Sequence, residues 1–332
     1  MVPVPRPAIS IVIVCWNSAA YLPRCLEALS RQSARDFEVI VIDSGSAEGA
    51  PVGLSEAYPA LHIRTEALPS NIGFAAANNL GARLAQGTWL ALLNPDAFPE
   101  PGWLAELVNA AASNPGAFFA SRQLKATEPG VLDGEGDEYH VSGLAWRRNY
   151  ALPIYAALGS QETFSACAAA AMYSRQDFLD AGGFDEDFFA YLEDVDLGFR
   201  LRLLGLKCVF VPAAVVSHVG SASTGQGSDF AVYHGHRNMV WTFVKDMPAL
   251  LFWIYLPLAA VMHLFDVLDY SLRGRWHVIW RAKLDAIRGL PAVLEKRRRV
   301  QSGRIASNAE IHRAMCRNLL APLGARLVRG WR

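Results

Sequence analysis

Three absences narrow the chain before any motif is read. It has no Cys-x-x-Cys pair, and its five cysteines (Cys15, Cys25, Cys167, Cys208 and Cys316) are odd in number and widely scattered. That argues against a disulfide framework or a zinc site and fits a reducing compartment. It has no Gly-x-Gly-x-x-Gly after its first candidate strand, where Cys15-Trp16-Asn17-Ser18 stands instead. A dinucleotide site needs those glycines, so an NAD enzyme is disfavoured. Its apolar run Ala249–Met262 contains Pro257 and falls short of the roughly 20 residues that span a bilayer. An interfacial or re-entrant segment is the expectation there. The N-terminus lacks the layout of a secretory signal, because a Pro-rich arm precedes the short apolar run Ile9–Val14. No internal repeat or long low-complexity segment is present.

Acids are scarce at one end. Residues 271–332 hold 15 Lys/Arg against 3 Asp/Glu, while residues 1–270 hold 16 against 28, so the formal net charge is zero. A basic tail on an acidic body suits an anionic surface, either nucleic acid or phospholipid. No nucleic-acid recognition motif accompanies it, and the neighbouring apolar run favours lipid. Trp276, Trp280 and the run Lys296–Arg299 are what a membrane-surface anchor needs. An ordinary helix packed on the body with a solvated basic face would read the same way.

Hydrophobic residues make up 52% of the 332, enough for a sizeable core. Ile9–Val14 and Phe37–Ile42 are continuous β-branched runs, the habit of parallel strands buried on both faces. Amphipathic or Ala-rich helical stretches follow them at Leu22–Arg31, Phe74–Ala85 and Gly102–Asn114, with further strands at Leu61–Arg64 and Trp89–Leu93. Strand alternating with helix predicts an α/β fold with a mostly parallel central sheet flanked by helices. Asn17, Asp43, Asn71, Asn94 and Asp96 all fall at strand ends. Turns alone favour such residues, yet ligands in open α/β sheets also bind there.

Residues 123–162 break the rhythm, acidic and Gly-rich and then basic and aromatic. An excursion over the sheet that lines a groove is expected. Phe164–Tyr173, Lys207–Val211 and Ala214–Ser217 read as strands, and the Gly/Ser-rich run after His218 reads as a lid. In Gly182–Gly205, Leu192, Val195, Phe199 and Leu203 mark one face of a helix. Glu193, Asp194 and Asp196 stand at its start, suited either to the helix dipole or to chemistry. From Phe230 the character changes to helical, dividing the chain into residues 1–229 and 230–332.

The ordered set of Trp16-Asn17, VIDSGSAEG, NIGFAAANN, LLNPD, GGFDEDFFAYLEDVDLGFRLRLLG and HVGSAST resembles the family 2 glycosyltransferases, inverting enzymes of the GT-A fold. The resemblance runs from Ile9 to about Asn238. The NIGFAAANN and LNPD forms are most similar to the rhamnosyltransferase branch, which uses dTDP-L-rhamnose and often acts on lipid-linked or growing surface polysaccharide. The resemblance implies Asp194 as general base, supported by Glu193 and Asp196. It implies a nucleotide pocket from Trp16, Asn17, Asp43, Ser44, Asn71, Gly73, Asn78 and Asn94, with Arg237 on the diphosphate. Asp96 and His218 would hold Mg²⁺ or Mn²⁺. Two departures stand out. Asn94-Pro95-Asp96 replaces the frequent DxD, leaving one anionic ligand, and Trp16 stands where Tyr or Phe is common.

The partners implied are a dTDP- or UDP-sugar, a glycan or polyprenyl-diphosphate-linked acceptor, and an anionic membrane surface, with a cytoplasmic, peripheral location on its inner face. Transfer of a galactofuranosyl, glucosyl or N-acetylglucosaminyl group from UDP is the alternative within the fold. A nucleotidyltransferase is the alternative in another class.

Overall fold

Alternation along a single strand separates the two faces of the sheet. In β1 (Ile9–Cys15), Ile9, Ile11 and Ile13 face one apolar layer and Val12 and Val14 the other, all buried. The computed structural model describes residues 7–154, 162–220, 225 and 227–322. After β1 come α1 (Leu22–Ser30), β2 (Phe37–Ser44), the single turn α2 (Leu54–Ala57), β3 (Ile63–Leu68), α3 (Phe74–Leu84), β4 (Trp89–Leu93), β5 (Ala97–Pro99), α4 (Trp103–Ser113) and β6 (Ala117–Lys125). An excursion follows with β7 (Leu132–Gly134), β8 (Asp137–Tyr139) and β9 (Ala145–Arg147). Then come β10 (Glu162–Thr163), β11 (Ala170–Ser174), α5 (Arg175–Asp180), α6 (Glu193–Leu203) and β12 (Lys207–His218). The C-terminal helices are α7 (Asp229–Asp246), α8 (Ala249–Leu272), α9 (Trp276–Arg288), α10 (Leu290–Ser302) and α11 (Asn308–Ala314).

The main sheet runs β10-β12-β6-β11-β4-β1-β2-β3, with β5 on β12 and β7 on β6. From β4 to β3 it is parallel, as expected. Beyond β4 it is mixed, because β11 runs antiparallel to both β4 and β6. The chain reaches β11 from the excursion, not through a right-handed helical crossover that would have made it parallel. Helices α1 and α4 cover one face, and α3, α5 and α6 the other. The C-terminal ends of β1, β2, β4 and β12 therefore share one edge with the N-terminal end of β11.

Several boundaries differ from the sequence reading. Residues 164–169 turn before β11 begins, and the Ala168 N–H in that turn donates to the Asp194 carboxylate. The two predicted short strands after Lys207 are one strand, β12, with a register shift between Val211 and Val215 that accommodates Pro212. Half of the predicted lid, residues 221–224 and 226, lies outside the described residues. All five cysteines are free, and four are buried.

Helix α8 overruns the apolar stretch by ten residues, to Leu272. His263 and Asp266 do not stop it, because Asp266 turns inward toward His236 and His263 beside the Lys283 ammonium. Among the described residues it is the one helix long and apolar enough to cross a membrane by length and composition. One side packs through Leu251, Ala259, Asp266 and Tyr270, while Trp253, Leu264, Leu268 and Leu272 are exposed. The basic run on α10 splits. Lys296 pairs with Asp185 and Asp187, and Arg297 donates to the Val244 and Met247 carbonyls, so only Arg298 and Arg299 face solvent. A helix presents four consecutive residues to all sides, so a run of four cations cannot share one surface.

Candidate active site

A cleft of about 1570 Å³ opens at the shared strand edge. Pockets for a single small ligand are typically about 300–1,000 Å³, so this one has room for two substrates. Its walls come from the C-terminal helices, through Phe230, His236, Met239 and Tyr270, and from three further directions. Trp16, Ser44, Asn71, Gly73, Asn94 and Asp96 stand on the sheet edge, Asp133 and Trp146–Arg147 on the excursion, and Phe189–Asp194 at the start of α6. The excursion thus lines the groove, as the sequence reading expected.

On the nucleotide side, the Asn71 side-chain oxygen accepts from the Gly73 N–H at 2.8 Å, and the Ser44 hydroxyl accepts from the Ile72 N–H at 3.1 Å. Gly73 has φ +87°, and an added Cβ would lie 2.7 Å from the Phe189 ring and 2.8 Å from its carbonyl oxygen. Only glycine fits that crossing point of two loops. Trp16 offers its ring to the cleft. Asp43 and Asn17 sit just behind this wall. The Asp43 carboxylate accepts from the Ser46 hydroxyl at 2.6 Å, and Asn17 accepts from the Ala47 N–H at 2.9 Å. Both brace the loop after β2 and neither lines the cleft. Asn78 is buried on α3, with its amide donating to the Phe74 carbonyl one turn back. Arg237 also stays off the cleft wall. It donates to the carbonyls of Asp187 and Phe188 and stacks over Trp241.

On the floor, His218 at the end of β12 meets Asp96. The Nε2 atom is 3.3 Å from Asp96 Oδ1, while Nδ1 lies 2.7 Å from Asp133 Oδ2. Gly220 donates its N–H to the other Asp96 oxygen at 3.1 Å. Burial opposes the charge on His218, but the hydrogen bond to Asp133 and the neighbouring Asp96 carboxylate outweigh it and hold the imidazole above its ordinary pKa. The same contacts hold Asp96 below the ordinary carboxylate value against its own burial. Asp133 also pairs with Arg147, and against desolvation these neighbours bring it to about 2.

Among the described residues, no three His, Cys, Asp or Glu side chains gather into a ready-made metal cage. Two buried atoms nonetheless lack a hydrogen-bond partner here, Asn94 Oδ1 and His218 Nε2. With the Asp96 carboxylate they form a sparse O,O,N set. That fits a divalent cation whose shell is completed by phosphate oxygens and water.

Opposite stands α6. Asp194 lines the cleft and accepts from the N–H groups of Ala168 at 3.0 Å and Val195 at 2.8 Å. Burial raises its pKa, and it raises that of Glu193 well above the usual value, with the Asp194 charge adding to the effect on Glu193. Asp196 does not support Asp194. It is fully buried and paired with Arg200 at 2.8 Å and Lys245 at 2.5 Å. Residues two apart on a helix point to different sides, so Asp196 faces away from the cleft.

The loop before α6 is strained. Phe189, Tyr191 and Leu192 all have positive φ, at 65°, 70° and 67°. The Ala190 N–H donates to the Phe188 carbonyl at 2.8 Å across Phe189, a tight γ-turn. Asn238 on α7, fully buried, shares its amide N–H groups among the carbonyls of Phe188, Ala190 and Tyr191. Neither Asn238 nor Asp133 was singled out from the sequence, and their roles arise only from contacts across the fold.

A glycosyltransferase of the GT-A type is the class this fold and cleft define. The model of the family described as "Glycosyl transferase family 2" matches residues 10–181, over half of the chain, and the chain belongs to that family. It is similar to the N-acetylglucosaminyl-diphospho-decaprenol L-rhamnosyltransferase of Mycobacterium tuberculosis, 29% identical over 68% of this chain and 80% of that protein. It is also similar to the pre-mycofactocin glycosyltransferase of Mycobacterium tuberculosis, 32% identical over 63% of this chain and 42% of that one. Among solved structures, the fold is shared with the mannosyltransferase PcManGT of Pyrobaculum calidifontis in complex with GDP-Man and Mn²⁺. That match has a TM-score of 0.55 and 19% identity, over 94% of this chain and 87% of that one. S. aureus TarS shares it as well, with a TM-score of 0.57 and 17% identity, over 97% of this chain and 53% of that one.

Proposed function

We propose that the protein is an inverting rhamnosyltransferase that moves L-rhamnose from dTDP-L-rhamnose to a lipid-linked sugar diphosphate at a membrane surface. The observation that carries the transfer chemistry is Asp194. It is a carboxylate oriented by two backbone N–H groups that lines the same cleft as the Asp96–His218 pair. The donor and acceptor classes draw support from the similarity to the mycobacterial rhamnosyltransferase.

In this reading Asp194 takes the proton of the acceptor hydroxyl as its oxygen attacks the anomeric carbon. The new C–O bond forms as the bond to the diphosphate breaks on the opposite face, so configuration inverts and the nucleoside diphosphate leaves with the bonding pair. Asn71, Ser44 and the Gly73 backbone hold the nucleotide, and Trp16 stacks on its base. Asp96, His218 and Asn94 would hold a divalent cation, which neutralises charge on the leaving diphosphate. The buried Glu193 keeps its proton, so that Asp194 is the member of the pair that ionises.

The lipid side of the reading rests on α8 and α9. Trp253 and Leu264 are 70% and 69% exposed, and Trp276 and Trp280 continue the apolar surface onto α9. Arg273, Arg281 and Arg288 stand exposed on these two helices, suited to anionic headgroups.

A donor screen tests the reading, with dTDP-rhamnose set against UDP-sugars and nucleotide release as the signal. Preference for a UDP-sugar overturns the choice of rhamnose and leaves the transfer chemistry standing. Asp194→Asn is expected to lower transfer by about 10²–10⁴-fold with unchanged dTDP affinity by calorimetry. Turnover like that of the wild type in this variant sinks the assignment of the base.

A further inference from the structure

We infer that Asp133 is a positioning residue that fixes the tautomer of His218, directing the Nε2 lone pair onto the cleft floor. The inference rests on the reading of His218 as a metal-side group.

Asp133 lies on β7, held antiparallel to β6 at the Gln123–Gly134 pairing. It is 5% exposed, and His218 is 1% exposed. The His218 Nδ1 to Asp133 Oδ2 distance is 2.7 Å, the shortest contact the ring makes to a carboxylate. The Arg147 guanidinium on β9 binds the same carboxylate oxygen and keeps it anionic. Both flanking carboxylates can only accept, so the single proton of the neutral ring goes to the shorter contact, Nδ1 to Asp133 at 2.7 Å against Nε2 to Asp96 at 3.3 Å. That leaves Nε2 as an acceptor, and it is the buried atom without a hydrogen-bond partner, 3.3 Å from an Asp96 oxygen.

Two acceptors that close in a buried pocket repel unless something cationic lies between them. Without Asp133 the ring could move its proton to Nε2, donate it to Asp96 and close that gap itself. Asp133 prevents this. A carboxylate behind a metal-binding histidine orients the ring and raises its basicity in this way. The segment GVLDGEGDEYH, which reads in sequence only as an acidic excursion, thereby supplies a side chain to the opposite end of the sheet edge.

The test uses full-length protein with ¹⁵N-labelled histidine, with long-range ¹H–¹⁵N spectra recorded without metal at alkaline pH, where the ring is neutral. Wild type is expected to show His218 with a protonated Nδ1 and a bare Nε2. Asp133→Ala is expected to move the proton to Nε2, and Asp133→Asn, which keeps an acceptor oxygen, to restore the original tautomer in part. In Mn²⁺ titrations with dTDP followed by electron paramagnetic resonance, Asp133→Ala should weaken binding by about 10–100-fold, with Asp133→Asn between it and wild type. An Nε2-protonated ring in wild type overturns the inference without recourse to any variant. An unchanged tautomer and Mn²⁺ affinity in Asp133→Ala overturns it as well. Equal Mn²⁺ affinity in wild type and His218→Ala overturns instead the metal reading beneath it, and the tautomer spectra still decide the role of Asp133.

Discussion

At the scale of single residues, the proposed chemistry turns on two adjacent carboxylates with different tasks. Burial raises both Asp194 and Glu193, and Glu193 further carries the cost of the neighbouring Asp194 charge. A base works only when ionised, so transfer must fall as the pH drops through the raised value of Asp194. The acid limb of kcat/KM is therefore expected above the ordinary Asp value of about 4. A profile flat down to pH 4 contradicts the assignment.

A helix period beginning where acids cluster marked this helix start in the sequence, and the resemblance to the family singled out Asp194 within it. The period alone could not separate Asp194 from Asp196, since dipole-favoured acids and chemical ones look alike until the helix is placed against its neighbours. Asp43, Asn17 and Asn78 show the same limit. Each falls at a strand end or on a helix as read, and its hydrogen bond with Ser46, Ala47 or Phe74 shows only in the folded chain. Asp133 was invisible for another reason. Its partner His218 lies 85 residues away and meets it only through the packing of β7, β6 and β12.

At the scale of elements, the parallel half of the sheet was readable from Ile9–Val14 and Phe37–Ile42, because double-sided burial writes itself as unbroken apolar runs. The antiparallel insertion of β11 was not, since its small residues report burial and not direction. The loop from Phe188 to Leu192 is held from outside. Its positive φ values cost free energy, and the Asn238 amide and Arg237 guanidinium on α7 hold its carbonyls in place.

Asn238→Ala leaves three carbonyls without that donor. A loss of about 1–3 kcal/mol in denaturant unfolding is expected. A drop in kcat of about 10–100-fold should accompany it, because the loop aims Asp194, while dTDP affinity stays near wild type. Equal losses in kcat and dTDP affinity would show general damage instead.

At the scale of the whole molecule, the C-terminal helices share a core with α6 and the excursion. Phe243, Met247, Leu251, Ile311 and Met315 pack with Tyr139, Phe164, Val195 and Phe199. Lys245 joins the regions a second time through ion pairs to Asp185 and Asp196. The outer face of α8 and α9 carries a group of exposed apolar side chains, Trp253, Leu264, Leu268, Trp276 and Trp280 among them. Replacing Trp253 and Leu264 together by serine should weaken flotation with anionic vesicles and lower transfer to a lipid-linked acceptor. Fold stability should hardly change, since neither side chain is buried. Undiminished flotation of the double variant would remove this face as the membrane contact.

The grip of α7 on the loop ahead of Asp194 has a consequence for recombination between relatives. A chimera joined just before residue 229 would take that loop from one parent and the side chains that hold its shape from the other. Segments 182–205 and 229–246 are therefore the pair to exchange as one cassette, with the crossover placed after α7. Grafted acceptor specificity will fail where only one of the two is carried across.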